Sequence, residues 1–343
     1  MYINNLDKEQ LIKVIEELGH KSFRGVQLFR WLHKQKLTDF DNMSNIPKEL
    51  KNEIIANFEL DQIELEKKMT SREDSTRKYL FKLNDGNIIE SVYLSYDYGN
   101  SACISSQIGC NMGCVFCAST KGGKLRDLRS SEMLQQVYMI EKDIGAMINS
   151  IVIMGSGEPF DNYENLKSFI TIVTDPEGKG LSKRKITVST SGLINNIYRS
   201  ADDELGFNLA ISLHAVFEDK RKKIIPNAKQ HRIHDIVEAC DYYTKKTGRR
   251  VTYEYILIDG FNDTMDDLIE LTNLLKGHNC HVNLIPLNPI EEYGGKAPSQ
   301  EKIDQFYKTL ERNQINTTIR RELGKDINAA CGQLRNQHIK KQG

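Results

Sequence analysis

Three cysteines fall within eight residues of the sequence CNMGCVFC, at Cys110, Cys114 and Cys117. Cysteine thiolates are the usual ligands of structural zinc and of iron–sulfur clusters. A closed zinc site takes four ligands, so this group of three either has a fourth ligand elsewhere or leaves one position for another molecule. Four of the seven cysteines lie between Cys103 and Cys117, a distribution that indicates metal or redox chemistry rather than a disulfide scaffold.

The spacing of these cysteines favours iron–sulfur chemistry over zinc. Zinc knuckles usually use Cys-x2-Cys pairs, whereas this group is Cys-x3-Cys-x2-Cys, and no second pair stands nearby in the sequence. The residues therefore favour a [4Fe–4S] cluster with three irons held by the protein, and they leave open a zinc site with a remote fourth ligand.

Polar motifs follow several of the apolar runs in the sequence. GSGEP follows SIVIM, STSG closes KITVS, SLHA ends FNLAISL, and PLNP ends the HVNLI run. The cysteine group also follows such a run, ACISSQIG. Enzymes with βα barrels build their sites at the C-terminal ends of strands, so this placement predicts one shared site. The alternative is that these loops are polar only because loops lie at the surface.

The elements that would position these motifs are predicted from periodicity. From about residue 100, short apolar runs alternate with helical stretches, which is typical of repeated βα units and a parallel sheet. Six units are too few for a complete eight-fold barrel, so the predicted fold class is α/β with a partial (βα)6-type barrel. The runs are ACISS, SIVIM, KITVS, FNLAISL, VTYEYILI and HVNLIPL, and the helical candidates include 130–148, 163–173, 231–246 and 264–276.

The first part of the chain predicts a different architecture. Residues 1 to about 65 contain three helical stretches: DKEQLIKVIEELG, FRGVQLFRWLHKQK and PKELKNEIIANF. Two β-rich runs follow, joined by Asn84-Asp85-Gly86, and this turn predicts a hairpin because Asp-Gly suits positive φ angles. We therefore predict an N-terminal helical and hairpin accessory domain over residues 1–95. The barrel and a C-terminal loop would occupy residues 96–343.

Glu90 lies in the second strand of the predicted hairpin. Strand alternation places it on one face with Ile88, Val92 and Leu94. A carboxylate on an apolar face is costly unless it has a partner or a purpose. Glu90 is therefore a candidate functional residue, and the alternative is an exposed carboxylate on an edge strand.

Composition excludes several classes of protein. The 343 residues carry 47 Lys and Arg against 47 Asp and Glu, so no global charge attracts nucleic acid or acidic membranes. Local basic stretches such as KGGKLRDLR and IRRELGK would have to supply any phosphate contacts. No apolar run approaches the roughly 20 residues of a transmembrane helix, and the first residues lack the layout of a signal peptide. We expect a cytoplasmic protein that does not enter a membrane.

The sequence CNMGCVFC resembles the signature of the radical S-adenosylmethionine (SAM) enzymes. In that superfamily three cysteines hold a [4Fe–4S] cluster, and the fourth iron is chelated by the amino and carboxylate groups of SAM. The resemblance implies that Cys110, Cys114 and Cys117 are the metal ligands and that SAM occupies the fourth position. It also implies that an electron from the cluster splits SAM into methionine and a 5′-deoxyadenosyl radical.

A longer series of motifs resembles the dual-specificity 23S rRNA and tRNA adenine-C2 methyltransferases across nearly the whole chain. This resemblance implies methylation of an adenine in the peptidyl transferase region of 23S rRNA and of the adenosine 3′ to the anticodon in tRNAs. Radical chemistry suits the target because the electron-poor C2 carbon does not attack the SAM methyl group. The motifs are SQIGCNMGCVFC, GSGEP, LSKRKITVSTSG, AISLHA, VTYEYILIDGFND, NLIPLNP and DINAACGQL.

The resemblance also implies three catalytic residues. Cys331 matches the family's methyl acceptor: one SAM methylates its sulfur, and the radical from a second SAM converts that methyl into a methylene radical that adds to C2. Glu90 matches the proton acceptor for C2, and burial would raise its pKa toward a useful range. Cys103 matches the thiol that releases the product, leaving a transient Cys103–Cys331 disulfide that cellular reductants open. Cys240 and Cys280 are expected to be small buried hydrophobic residues.

Cofactor contacts and partners follow from the same resemblance. It implies binding of 23S rRNA and tRNA, an electron donor such as flavodoxin or ferredoxin, and action as a monomer. The Arg- and aromatic-rich stretch 23–36 is a candidate RNA-docking surface, although its aromatic residues suit a core even better. The residues that match the family's SAM contacts are Gly157, Glu158, Ser189, Ser212, Leu213, His214 and Asn288.

Two other functions are consistent with parts of the pattern. Resistance-type relatives methylate C8 of the same adenine, but Pro159 of GSGEP, together with STSG, SLHA and PLNP, resembles the C2 branch. A zinc-stabilised RNA-binding protein would account for the cysteine group and leave Cys331 and the polar strand ends without a role. The iron content of anaerobically purified protein distinguishes this last class.

Overall fold

The computed structural model describes residues 1–228, 231–330 and 332–334. The strands of this part of the chain are β1 (Glu64–Thr70), β2 (Arg77–Lys82), β3 (Ile88–Tyr96), β4 (Gly99–Ile104), β5 (Gln107–Gly109), β6 (Lys124–Asp127), β7 (Ser150–Ile153), β8 (Ile186–Thr190), β9 (Asn208–Ser212), β10 (Val251–Leu257), β11 (Cys280–Pro286) and β12 (Asn316–Ile319). The α-helices are α1 (Lys8–Glu17), α2 (Phe23–Phe29), α3 (Lys48–Asn57), α4 (Ser130–Ile144), α5 (Tyr163–Thr174), α6 (Ile194–Asp202), α7 (Glu218–Ile224), α8 (Ile233–Thr247), α9 (Met265–Leu275) and α10 (Gln300–Arg312).

A ten-stranded sheet in the order β1-β2-β3-β4-β7-β8-β9-β10-β11-β12 forms the centre of the molecule. From β4 onward every neighbouring pair is parallel, as the alternation of apolar runs and helices predicts. The two ends of this order, β1 and β12, are its edges, so the fold is a partial barrel. The α/β prediction is confirmed, with β12 added as a seventh parallel strand that the polar sequence NTTI does not signal.

The predicted hairpin is present at the other side of the sheet. Strands β2 and β3 pair antiparallel, and Gly86 in their turn has a φ of +83°. The hairpin is continuous with the barrel because β4 pairs antiparallel with β3 and parallel with β7. The two-domain division at residue 95 stays a prediction, and the sheet runs across it without interruption.

Helices cover the sheet where apolar spacing predicts them. Helix α1 begins at a capping box in which Asp7 accepts from the backbone of Gln10, and the chain leaves it at Gly19, with a φ of +80°. The candidates 130–148, 163–173, 231–246 and 264–276 correspond to α4, α5, α8 and α9. None of the helices in the described ranges combines the length and apolar character needed to cross a bilayer.

One row of the sheet brings together residues from three strands. Lys78 of β2 lies opposite Val92 of β3, which lies opposite Cys103 of β4. Residues opposite one another project from the same face, and Glu90 shares this face because it lies two positions from Val92. The sheet therefore presents an amine, a carboxylate and a thiol on one surface.

Candidate active site

A cavity of about 150 Å³, open to solvent, lies at the C-terminal ends of the parallel strands. All three cysteines of CNMGCVFC line it, as do residues from GSGEP, STSG and SLHA. The structure therefore brings the strand-end motifs to one place, as their positions in the sequence predict. The lining residues that were predicted from the sequence are Cys110, Cys114, Cys117, Gly157, Glu158, Ser189, Ser212 and His214.

The cysteine loop is held in shape by backbone and hydroxyl contacts. The hydroxyl of Thr120 donates to the carbonyl oxygens of Cys114 at 3.0 Å and Cys117 at 2.9 Å. The backbone N–H of Val115 donates to the carbonyl of Ile224, at the end of α7, at 3.1 Å. Gly113 has a φ of +72°, a conformation that glycine adopts without strain. These contacts fix the loop independently of the thiols.

Burial governs the charge state of the cysteine thiols. It raises the pKa of Cys110 to about 12, and it raises the pKa of Cys114 well above its ordinary value, with the neighbouring cysteines adding to the effect. A thiol in such a place becomes a thiolate when it binds a metal or a cluster. Binding of a cluster by these cysteines would therefore release their protons.

The residues present fit an iron–sulfur cluster better than a closed zinc site. Cys110, Cys114 and Cys117 line one cavity, and that cavity is open to solvent. An apolar cluster that includes Phe116, Ile256 and Ile285 packs against the loop. Sulfur ligands, an apolar surround and an open side suit a cluster with one iron left for another ligand.

The glycines of GSGEP allow the motif to approach neighbouring backbone closely. A Cβ atom at Gly155 would lie 2.7 Å from the carbonyl carbon of Ile104, and one at Gly157 would lie 2.7 Å from the backbone nitrogen of Gln107. Gly157 also has a φ of +114°, which is unfavourable for other residues. Both positions therefore need glycine to form this wall of the cavity.

Glu158 is buried and already accepts backbone hydrogen bonds. Its Oε2 accepts from the N–H of Ser191 at 2.8 Å, and its Oε1 accepts from the N–H of Phe160 at 3.1 Å. Burial raises the pKa of Glu158, while these donors act in the opposite direction. A carboxylate has about four acceptor positions, so it can still accept from a ligand amine.

His214 is a buried neutral imidazole. Its Nδ1 accepts from the N–H of Ile256 at 3.1 Å, which leaves the proton on Nε2, and burial lowers its pKa to about 3. Its backbone has a φ of +59°, and its ring meets that of Phe116 edge-on at 4.9 Å. The network around His214 therefore connects the end of β9 to the cysteine loop.

Two of the predicted SAM contacts do not line this cavity. Leu213 is fully buried in the core, where its backbone N–H donates to the carbonyl of Glu254 at 3.1 Å. Asn288 lines a neighbouring cavity together with Arg320 and Ala330. Because Arg320 lines both cavities, it marks the boundary between them.

Arg221, Glu254 and Arg320 are site residues that sequence reasoning missed. Arg221 is buried, donates to the carbonyl of Leu213 at 3.1 Å, and has its pKa lowered to about 10 by burial. Glu254 lines the cavity and accepts from Asn283 at 2.8 Å, and burial raises its pKa against the opposing effect of Arg320. A signal for Glu254 existed, since VTYEYILI is otherwise apolar in the same way as the strand of Glu90.

Glu90 and Cys103 lie in a second region, on the face of the sheet beside β3 and β4. Glu90 is 2% exposed, so the alternative of an exposed edge carboxylate is wrong, and its Oε2 lies 2.9 Å from Nζ of Lys78. Cys103 is buried in an apolar cluster with Val92 and Ala329. The antiparallel part of the sheet thus carries a second set of ionisable groups, separate from those of the main cavity.

Cys331 lies outside the described residues, but its neighbours connect the two regions. Ala329 packs in the cluster around Cys103, and Gly332 lines the cavity of the cysteine loop. The carbonyl of Gly332 accepts from the N–H of Ala118 at 2.7 Å. The C-terminal segment therefore extends from the face of Cys103 to the cysteine loop.

The basic stretch after the cysteines is largely engaged within the chain. Lys124 pairs with Asp161 at 2.7 Å, Arg126 with Glu132 at 2.8 Å, and Arg129 with Asp61 at 2.7 Å. These pairs hold the β5–β6 ribbon and the start of α4. The phosphate contacts expected from this stretch stay a prediction.

Comparison with protein families identifies the class. A model described as the radical SAM superfamily matches residues 104–272, which include all three cysteines of the loop. A crystal structure of a radical SAM methyltransferase from Sphaerobacter thermophilus superimposes with a TM-score of 0.92 at 39% identity, covering 98% of this chain and 99% of that one. The fold and the site therefore define a radical SAM methyltransferase.

The family within this class follows from full-length relatives. A relative from Lachnoclostridium phytofermentans is 48% identical over 99% of this chain and 95% of its own length, and one from Clostridium perfringens is 48% identical over 98% and 96%. Both are named probable dual-specificity RNA methyltransferase RlmN. Residues 1–60 match the ribosomal RNA large subunit methyltransferase N-terminal domain. The chain belongs to the RlmN family of radical SAM RNA methyltransferases.

Proposed function

We propose that this enzyme methylates C2 of an adenine in the peptidyl transferase region of 23S rRNA and of the adenosine 3′ to the anticodon in tRNAs. The observation that carries the proposal is the path of the C-terminal segment. Ala329 packs beside Cys103 and Gly332 lines the cysteine-loop cavity, so residues on both sides of Cys331 in the sequence belong to different parts of the site. A methyl carrier between cofactor and base needs such a path.

The cofactors would be held by the residues that line the main cavity. Cys110, Cys114 and Cys117 would hold the [4Fe–4S] cluster, which together with two SAM molecules supplies the methyl group and the radical for each methylation. Glu158 has acceptor positions left for the SAM ammonium, and Gly157 allows this wall of the cavity to pack closely against the backbone of Gln107. Ser189, Ser212 and His214 would be further SAM contacts in this cavity. Leu213, which is buried beside it, and Asn288, which lines the neighbouring cavity, are proposed as the remaining contacts.

The chain's own side chains would carry the methyl group to the base. Cys331 would accept the methyl group on sulfur, and its small neighbours Ala329, Ala330 and Gly332 would let the sulfur approach C2. Glu90 would accept the C2 proton, and the Cys103 thiol would displace the product from Cys331, forming a disulfide that an external reductant opens. The target base has to leave its stack to reach these groups.

The partners of the reaction are part of the same proposal. The protein would act as a monomer on 23S rRNA and tRNA, with electrons supplied by a donor such as flavodoxin or ferredoxin. Stretch 23–36 is a candidate for RNA docking, with Phe23 46% exposed and the Arg24 guanidinium 4.7 Å from its ring, while Phe29 of the same stretch lies in the core. A cation on an exposed aromatic ring is a common element of RNA contacts.

The test uses anaerobically reconstituted protein, a reductant, a 23S rRNA fragment and SAM with a CD3 methyl group. Digested nucleosides are compared by mass spectrometry with 2- and 8-methyladenosine. The expected product is 2-methyladenosine with two deuteriums, because one deuterium is lost when the methyl group on Cys331 is activated. Cys331→Ala should give no product while retaining iron.

Other products would contradict the proposal in distinct ways. Three deuteriums in the methyl group would exclude the route through a methylene on Cys331. An 8-methyl product would assign the protein to C8 chemistry. A tRNA anticodon stem-loop is tested in parallel to determine whether tRNA is also a substrate. Methylation of the rRNA fragment alone would limit the proposal to 23S rRNA.

A further inference from the structure

Lys78 is a buried lysine in the middle of β2, and none of the steps above uses it. It is 1% exposed, its Nζ lies 2.9 Å from Oε2 of Glu90, and it donates to the carbonyl oxygen of Asn328 at 3.1 Å. A buried ammonium is strongly unfavourable unless it is paired and hydrogen-bonded. Its presence in a strand interior therefore needs a reason beyond packing.

The sheet register places Lys78 within the second region of the site. Lys78 lies opposite Val92, and Leu80 lies opposite Glu90, so the lysine reaches its carboxylate diagonally on one face. Cys103 continues the same row on β4. The ammonium, the carboxylate and the thiol are thus fixed relative to one another by three hydrogen-bonded strands.

Lys78 also connects this face to the segment that leads to Cys331. The turn before β2 holds the same segment at two further points: Asp74 accepts from the N–H of Gly324 at 2.9 Å, and Asp326 accepts from the N–H of Arg72 at 2.8 Å. The contact of Lys78 with the Asn328 carbonyl lies three residues before Cys331 in the sequence. Lys78 therefore contacts both Glu90 and the C-terminal segment that leads to Cys331.

We propose that Lys78 is the positioning residue for Glu90: it keeps the carboxylate ionised and directed toward the base that Cys331 carries. This inference rests on the proposed function. An adjacent ammonium stabilises the carboxylate form, which is the form that accepts a proton. In the step concerned, the C2 proton passes to the Glu90 carboxylate, and the electrons of the C–H bond stay with the adenine adduct.

The test compares Lys78→Met and Lys78→Arg with Glu90→Gln and with a control, Lys179→Met. Lys179 is a second buried lysine, paired with the buried carboxylate of Glu141 and remote in sequence from β2, β3 and the C-terminal segment. Lys179→Met measures the general effect of removing a buried ammonium. Thermal unfolding of all four proteins separates loss of folding from loss of function.

Three readouts follow the reaction in separate stages. Mass spectrometry of the protein reports methylation of Cys331, denaturing gels report protein bound covalently to RNA, and nucleoside analysis reports product. For Lys78→Met we expect Cys331 methylation within about twofold of wild type and product formation reduced roughly 10²-fold, the usual range for loss of a general base. We expect the covalent protein–RNA species to accumulate in Lys78→Met and in Glu90→Gln alike, and Lys78→Arg to recover most of the product.

The pH profile of product formation provides a further test, because it would not change in Lys78→Met if the lysine had only a structural role. Among the described residues, the polar groups near Glu90 include the Lys78 ammonium from β2 and the Cys103 thiol on the same face of β4, and Gln107 and Ser156 line a small cavity with it. Without the ammonium, the buried carboxylate takes up a proton more readily. The acid limb of the product-formation profile should therefore move to higher pH in Lys78→Met and return in Lys78→Arg.

Two outcomes would overturn the inference. Equal loss of Cys331 methylation and product in Lys78→Met would show that the lysine only anchors the C-terminal segment. Wild-type product rates with an unshifted pH profile would show that Glu90 does not depend on it. Both differ from failure of the proposed function, in which the wild-type protein itself would form no 2-methyladenosine.

Discussion

The parallel and antiparallel parts of the sheet carry out different tasks by different means. At the ends of the parallel strands, the cavity wall is formed by glycines and backbone hydrogen bonds, as at Gly157 and in the loop held by Thr120. In the antiparallel part, Lys78, Glu90 and Cys103 project from strand interiors and are buried beneath the C-terminal segment. The wall of the first region depends mainly on backbone shape, with the buried carboxylates of Glu158 and Glu254 set into it, whereas the second is built from side chains in strand interiors.

This difference predicts how each region responds to substitution. Steric changes should be severe at the strand ends, where added atoms meet fixed backbone. Changes of charge should be severe in the antiparallel part, where an unpaired ionised group has no solvent to compensate it. The following predictions test the strand-end region first and then a buried ionisable side chain, His33, that belongs to neither region.

The largest effect is expected from Cys114→Ala. Removing one of three sulfur ligands should reduce anaerobically reconstituted iron to background and product to below detection, because the cavity offers no further cysteine in the described residues. Iron analysis and visible absorbance provide the measurement. Cys240→Ala, which alters a buried cysteine of α8, should keep both iron and activity. Full iron content in Cys114→Ala would contradict the assignment of the cluster.

Gly157→Ala should have the next largest effect. The added Cβ would lie 2.7 Å from the backbone nitrogen of Gln107, at a φ of +114°. We expect SAM affinity to fall at least tenfold and the free energy of unfolding to fall by roughly 1–3 kcal/mol, measured by calorimetry and thermal unfolding. Gly145→Ala is the control, since its φ is +65° but no atom lies within 4 Å of the new Cβ. Equal SAM affinity in both variants would show that crowding at Gly157 does not shape the site.

A smaller effect is expected from Thr120→Val, which removes the hydroxyl that holds the carbonyls of Cys114 and Cys117. Loss of these hydrogen bonds should lower the free energy of unfolding by about 1–2 kcal/mol and speed the loss of iron to a chelator. Thr171→Val removes a comparable hydroxyl contact, to Lys167 on the exposed surface of α5, and should leave iron retention unchanged. If both variants lose iron at the wild-type rate, the loop is held mainly by its backbone contacts.

The smallest effect on catalysis at neutral pH is expected from His33→Gln, which tests a buried ionisable group remote from both regions. Burial lowers the pKa of His33 to about 3, with Asp175 opposing the shift, so the unfolded chain binds a proton that the native protein excludes. The contribution to stability is therefore present above about pH 6.5 and is lost as pH falls toward 3. Between pH 6.5 and 4.5 the loss is roughly 2–3 kcal/mol.

Denaturant unfolding at a series of pH values measures this loss. The loss of stability between pH 6.5 and 4.5 should be smaller in His33→Gln than in the wild-type protein by that amount. His234→Gln, at an exposed position of α8, should leave the slope unchanged. An unchanged slope in His33→Gln would mean that His33 is protonated in the native protein.

The sequence was informative about the strand-end region because its signals are local. Three cysteines in eight residues, and polar motifs directly after apolar runs, need no knowledge of distant contacts. The hairpin turn at Asn84-Asp85-Gly86 is equally local. These are the features that the structure confirms.

In the antiparallel part, the sequence predicted only what could be inferred from within a single strand. Alternation placed Glu90 on the same face as Val92, but its partner Lys78 lies on another strand, and RKYLFK gives no sign that this lysine is buried. Arg320 and Arg221 were missed for the same reason, since their contacts are formed by distant segments. Glu254 could have been found, because a carboxylate within VTYEYILI is unusual by the same reasoning that singled out Glu90.

Strand β4 pairs with both parts of the sheet, and this position limits insertions and deletions in the chain that follows it. It carries Cys103, and only six residues separate that thiol from Cys110, with the short strand β5 among them, which pairs with β6 further along the chain. An insertion or deletion of one residue here would either turn Cys103 to the opposite face or displace the first cysteine of the loop. This stretch should therefore not tolerate changes in length, and most of its residues are buried as well, while a Cβ atom at Gly109 would clash with the carbonyl oxygen of Gly123.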